Sequence, residues 1–163
     1  MSKAPAFEHA AEIEASLERL AEVCEDPTSA IYARLFATHP KMQAHFWRDT
    51  NGAVKGEMLS RTFEAILDFV GDRRYAQHMI GTEMVTHEGY DIPREVFITF
   101  FGIVRDTMRD LLAADWTPAF EQAWGGMLAE MHAYAQATPR TDTSNPYFAA
   151  RLAEFEAPFA AKG

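Results

Sequence analysis

The chain has 163 residues, which suits one domain and leaves little room for two, and its 48% hydrophobic and 12% aromatic content is enough for a core and argues against global disorder. The net charge of −9 disfavours a general nucleic-acid or anionic-membrane surface, and the single cysteine, Cys24, excludes an intrachain disulfide framework, CxxC redox chemistry and a multi-cysteine zinc site. No apolar run approaches the roughly 18 residues that span a bilayer, and Glu8, Glu12 and Glu14 stand where a signal peptide would be apolar, so a cytoplasmic protein is expected.

Alanine is the commonest residue and Val plus Ile are few, which favours helix over strand. The first helix is expected from about Phe7 to Val23, with Phe7, Ala10, Ile13, Leu17 and Leu20 on one face. Asp26 as N-cap and Pro27 as first helical residue start a second, which carries Ile31, Tyr32, Leu35 and Phe36 and stops before Pro40. A short helical turn follows from Pro40 to about Phe46, then the polar turn from Arg48 to Gly52. An amphipathic helix covers about Val54 to Phe69, with Met58, Leu59, Phe63, Ile66 and Val70 spaced for one face, and Gly71-Asp72 ends it. A less regular stretch through His78 leads to a helix that terminates at Gly89. Pro93 opens the next, with Phe97, Phe100, Phe101, Val104, Met108, Leu111 and Leu112 as its apolar set.

Thr117-Pro118 opens the last long helix, with Phe120, Trp124, Met127, Leu128 and Met131 inward. Thr138 to Pro146 is a polar break, and a short helix from Pro146 to about Glu156 is expected beyond it. The chain therefore reads as all-α, with seven to eight unequal helices around a pocket: a domain over 1–137 and a C-terminal extension over 138–163.

His87 is the most informative single residue. In the last turn of a helix, two residues before Gly89, it can project past the helix end toward a pocket. Its other ring nitrogen can donate to a backbone carbonyl one turn earlier, near Glu83, which fixes the tautomer and strengthens the free nitrogen as a metal ligand. A helical histidine can equally be a surface or capping residue.

Three segments bear on that choice: Tyr32-Ala-Arg-Leu-Phe36-Ala-Thr-His-Pro40-Lys-Met-Gln-Ala-His-Phe46, His87-Glu-Gly-Tyr90-Asp-Ile-Pro-Arg-Glu-Val-Phe97 and Phe120-Glu-Gln-Ala-Trp124-Gly-Gly-Met-Leu128. In their order and spacing they resemble the globin family, above all bacterial single-domain haemoglobins and the haem domain of flavohaemoglobins. The likeness covers about Asp26 to Tyr134. It implies a globin-like fold around haem b, with His87 as the iron ligand. It implies that Phe46, six residues after Pro40, lies flat against the porphyrin, and an aromatic there buries a large apolar area. It implies that Tyr32 points into the distal pocket and donates to the iron-bound gas. Dioxygen carries partial negative charge on its outer oxygen, so this bond slows its loss; carbon monoxide gains less. The alternative for Tyr32 is a ring in the core with its hydroxyl on a backbone carbonyl.

Counting back from His87 without gaps, the resemblance places Lys55 at the distal position and Leu59 above the iron. A one-residue shift uses Val54 and Met58 instead. Lys55 can reach a haem propionate, bond a ligand or stay solvated, and Met58 can ligate iron or pack. Tyr90 and Ile92 fall at positions that contact the proximal face, and Phe97 over the porphyrin edge. Flavohaemoglobins hold their histidine through a tyrosine–glutamate network; here Phe97 stands for the tyrosine and Pro139 falls near the glutamate, which counts against peroxidase-like or fast dioxygenase chemistry.

His39 and His45 are expected to be solvated on the corner, and Cys24 to be a small buried or half-buried apolar residue. Asp106, Arg109 and Asp110 form a charged face with no chemistry assigned. The reading that follows is a gas-binding haem protein for oxygen, nitric oxide or carbon monoxide, its dry walls slowing oxidation of the iron. One alternative is a nitric-oxide dioxygenase served by a separate reductase; another is a haem-free globin-fold sensory or interaction module. A homodimer is left open.

Overall fold

Local stop signals set most of the element boundaries in the computed structural model, which describes residues 7–139. Among these residues the structure is all-α. It has six α-helices: α1 (Ala10–Val23), α2 (Thr28–Thr38), α3 (Ala53–Val70), α4 (Ala76–Gly89), α5 (Arg94–Leu112) and α6 (Pro118–Ala137). Two 3-10 turns, Pro40–Phe46 and Ala113–Asp115, complete it. No helix among the described residues is long and apolar enough to cross a membrane. The expected helix from Pro146 to Glu156 lies outside the described residues, as does nearly all of the extension over 138–163.

The starts of α2, α4 and α6 are held by side-chain oxygens on otherwise unpaired backbone N–H groups. Asp26 Oδ1 accepts from Thr28 N at 3.0 Å, but the helix begins at Thr28, one residue later than expected, so Pro27 and not Asp26 stands in the cap position. Thr117 Oγ1 accepts from Phe120 N at 3.1 Å, with Pro118 in the first helical position. Asp68, near the end of α3, accepts from the N–H groups of Arg74, Tyr75 and Ala76 at 3.1, 3.0 and 2.7 Å. This ties α3 to the start of α4 and extends α4 back to Ala76, so His78 is helical where an irregular stretch was expected. Phe7 stays outside α1; its N–H donates to Val70 O at 3.1 Å and its ring is buried.

α5 is the central helix and packs against α1, α2, α4 and α6, while α3 packs against α1, α2 and α4. Ile13, Ile31, Ile66, Phe69, Met108, Trp124 and Met127 are fully buried between them. Leu111, grouped with the apolar set of α5, sits at the exposed edge of that face. Two buried polar groups cross the core: Trp124 Nε1 donates to Ser16 Oγ at 2.9 Å, and Ser16 Oγ donates to Ile13 O at 2.7 Å. Ser16 thereby satisfies an indole N–H that has no water to turn to. Truncating it leaves that donor buried and unpaired, a cost of about 1–3 kcal/mol. Ser16→Ala is expected to lower the unfolding free energy by that amount in urea denaturation, with the slope of the transition unchanged.

Candidate functional site

The last turn of α4 and the turn after it form a single hydrogen-bonded unit around His87. Its ring Nδ1 donates to the Glu83 carbonyl at 2.7 Å, the contact anticipated from its place one turn before the helix end. The His87 carbonyl accepts from Tyr90 N and Ile92 N, both at 2.9 Å. Asp91 between them takes a left-handed φ of +65°, a conformation aspartate tolerates better than most residues. This tight reversal turns Ile92 inward and leaves Tyr90 at the surface, 69% exposed. The Phe97 ring packs against the imidazole with centroids 4.8 Å apart. With Nδ1–H engaged, a neutral imidazole keeps its lone pair on Nε2, the arrangement a metal ligand needs.

His87 lines a cavity bounded by α2, the Pro40–Phe46 turn, α3, α4 and α5. The empty space between these elements, with the solvent at its open mouth included, is about 810 Å³. Its wall is overwhelmingly apolar. Of the residues expected at the site, Tyr32, Phe46, Met58, His87, Ile92 and Phe97 line it. Tyr32 meets Phe46, Phe100 and Phe36 at ring separations of 5.3, 5.5 and 6.0 Å.

Of the polar groups in this wall, the Tyr32 hydroxyl stands apart. The residue is 2% exposed, and the hydroxyl has no hydrogen-bond partner among the described residues; it does not reach a backbone carbonyl. Burial, and next the negative charge of Asp49, push its pKa well above the ordinary phenol value. The group is therefore a protonated donor at neutral pH. An unsatisfied buried hydroxyl costs about 1–3 kcal/mol, so its place on a cavity wall points to an acceptor that enters the cavity.

The remaining expected residues lie elsewhere. α3 turns Met58, Arg61, Thr62 and Ala65 to the cavity, a set spaced by three and four residues. Leu59, one residue along and so about 100° around the helix, is buried in the core instead. Val54 is exposed. Lys55 is drawn to the buried carboxylate of Asp49, Nζ to Oδ2 3.4 Å, and lies 5.6 Å from the centre of the Phe46 ring. Tyr90 leaves the proximal face for the reason given above. Thr62, missed from the sequence, donates its hydroxyl to Met58 O at 2.8 Å; its spacing of four from Met58 was the available signal. His39 is buried rather than solvated, and burial lowers its pKa, whereas His45 is exposed. Cys24 is half-buried against the core.

Among the described residues no three His, Cys, Asp or Glu side chains are grouped to hold a metal ion. A single histidine on an apolar wall fits a metal that arrives with most of its own ligands, as in a porphyrin. The family model described as Globin matches residues 29–135, from α2 to the last turn of α6 and across every residue of the cavity wall. The chain belongs to the globin family. No match is found among curated proteins, and none among solved structures. The all-α arrangement is thus the globin fold, and α1 precedes the matched span.

Asp49 is the electrostatic anchor of the start of α3. Burial alone would raise its pKa; the N–H groups of Lys55 and Val54, at 3.0 and 3.1 Å, and the Lys55 ammonium outweigh this and hold it below the ordinary value. A depressed folded pKa contributes stability that is present above the unfolded value of about 4 and is lost as pH falls through the folded one. The stability difference between the natural protein and Asp49→Asn is expected to be largest at neutral pH and to shrink as urea midpoints are taken from pH 5 down to pH 3.

Proposed function

We propose that this globin binds haem b through His87 and that a diatomic gas, oxygen in the first place, would be held in the same cavity within reach of Tyr32. One observation carries the reading. A histidine whose Nδ1 is fixed on the Glu83 carbonyl and a protonated tyrosine whose hydroxyl has no partner line the same apolar cavity. Bound there, haem would supply an iron whose free coordination position takes oxygen, nitric oxide or carbon monoxide.

The chain's own groups supply the rest. His87 keeps its ring orientation through the Glu83 carbonyl, which supports Nε2 as the ligating atom. Tyr32 donates to the gas, which satisfies its buried hydroxyl at the same time. Phe46, Met58, Ile92 and Phe97 wedge the cofactor and exclude water, and Thr62 and Ala65 close the α3 side. The Tyr32 and Pro40–Phe46 pattern supports placing the chain near the bacterial single-domain haemoglobins.

Two substitutions test this. His87→Ala is expected to abolish one-to-one haem binding in absorption titrations. Tyr32→Phe is expected to keep haem and speed oxygen loss about 10- to 150-fold in stopped-flow measurements, the equivalent of roughly 1.5–3 kcal/mol for a hydrogen bond to a charged acceptor. Carbon monoxide loss should change much less. A wild-type protein that takes up no stoichiometric haem sinks the reading and favours a haem-free interaction module.

A further inference from the structure

The Glu83 carboxylate has no role in the reading above, yet it stands beside His87. The two residues lie one turn apart on α4. The Glu83 carbonyl oxygen is 2.7 Å from His87 Nδ1, and its carboxylate Oε2 is 3.7 Å from the same nitrogen. The ring N–H therefore has two oxygens of one residue beside it, the carbonyl that accepts its hydrogen bond and a charged carboxylate oxygen farther off. Among the described residues no lysine or arginine forms an ion pair with Glu83.

The surroundings leave that charge uncompensated. The contact on the other side of the imidazole is the uncharged Phe97 ring. Arg94 is held by Glu88 at 2.8 Å and by the carbonyls of Ala135 and Thr138. Arg61, which lines the same cavity from α3, pairs with Glu57 at 3.0 Å. A negative charge beside Nδ1 favours positive charge on whatever the ring ligates. It raises the electron donation of Nε2, as carboxylates behind metal-bound histidines do.

We propose that Glu83 is a positioning residue with an electrostatic role: its carboxylate, acting through His87, makes the imidazole a stronger donor and holds the iron toward the ferric state. The proposal rests on haem ligation by His87. Because the carboxylate is partly exposed, water screens it and the effect is moderate.

Glu83→Gln removes the charge and keeps the backbone carbonyl that orients the ring. In the haem-loaded protein it is expected to shift the ferric–ferrous equilibrium about three- to tenfold toward ferrous. This is a rise in midpoint potential of about 30–60 mV, at about 59 mV per tenfold for one electron. The iron–histidine stretching band of the ferrous protein should fall in frequency in resonance Raman spectra. Glu83→Asp, which keeps the charge, should retain most of the wild-type potential. Glu18→Gln removes an exposed carboxylate on α1 and is expected to leave both readouts unchanged. A midpoint and a stretching band that move no more in Glu83→Gln than in Glu18→Gln overturn the proposal while haem binding stands. Failure of the wild-type protein to take up haem overturns the underlying reading as well, and is seen before any potential is measured.

Discussion

The hydrogen bond from the His87 ring to the Glu83 carbonyl, together with the tight turn that begins at the His87 carbonyl, organises the α4–α5 side of the cavity. The Glu83 carbonyl lies inside α4 and has a second lone pair to offer the imidazole. The His87 carbonyl is one of those a helix end leaves unpaired; it accepts the N–H groups of Tyr90 and Ile92 and so closes the reversal into α5. Ile92 and Phe97 then reach the cavity because the chain has nowhere else to go within five residues. Arg94 locks this corner from behind. Its guanidinium is buried, binds the Glu88 carboxylate and caps the carbonyls at the end of α6.

The opposite half depends on a different device. Asp49 is a buried carboxylate that receives the first N–H groups of α3 and the Lys55 ammonium. It sets where α3 begins, holds Lys55 near the Phe46 ring and places a negative charge near Tyr32 that helps keep the phenol protonated. The chain thus meets an apolar pocket with one fixed base and one uncommitted acid, each held by neighbours of the opposite character. Polar groups are rare in the wall, so those present act in a medium that screens them weakly.

Much of the framework was legible in the residues. Pro40, Gly89, Pro93 and Thr117-Pro118 act on their own backbone neighbours, so boundaries placed on them agree closely with the structure. The ring contact of His87 was legible for the same reason: it spans one helical turn. Asp49 was less so. Its cap depends on the path of the Arg48–Gly52 turn, including the left-handed Gly52 at φ +76°, rather than on helical spacing. The Arg94 lock was not legible, because Ala135 and Thr138 lie more than forty residues away in the chain.

The sequence by itself determined an all-α chain, the order of its helices, the turns between them and the presence of Tyr32, Phe46 and His87 in the globin pattern. Only the tertiary structure decided which face of α3 looks into the cavity, so that Met58 and Thr62 line it and Leu59 joins the core. It also decided that Tyr90 faces solvent and that Lys55 pairs with Asp49. The physical reason is common to all three. Periodicity says which residues share a helix face, but a rotation of about 100° per residue means that only packing against the neighbouring helices settles where each face points.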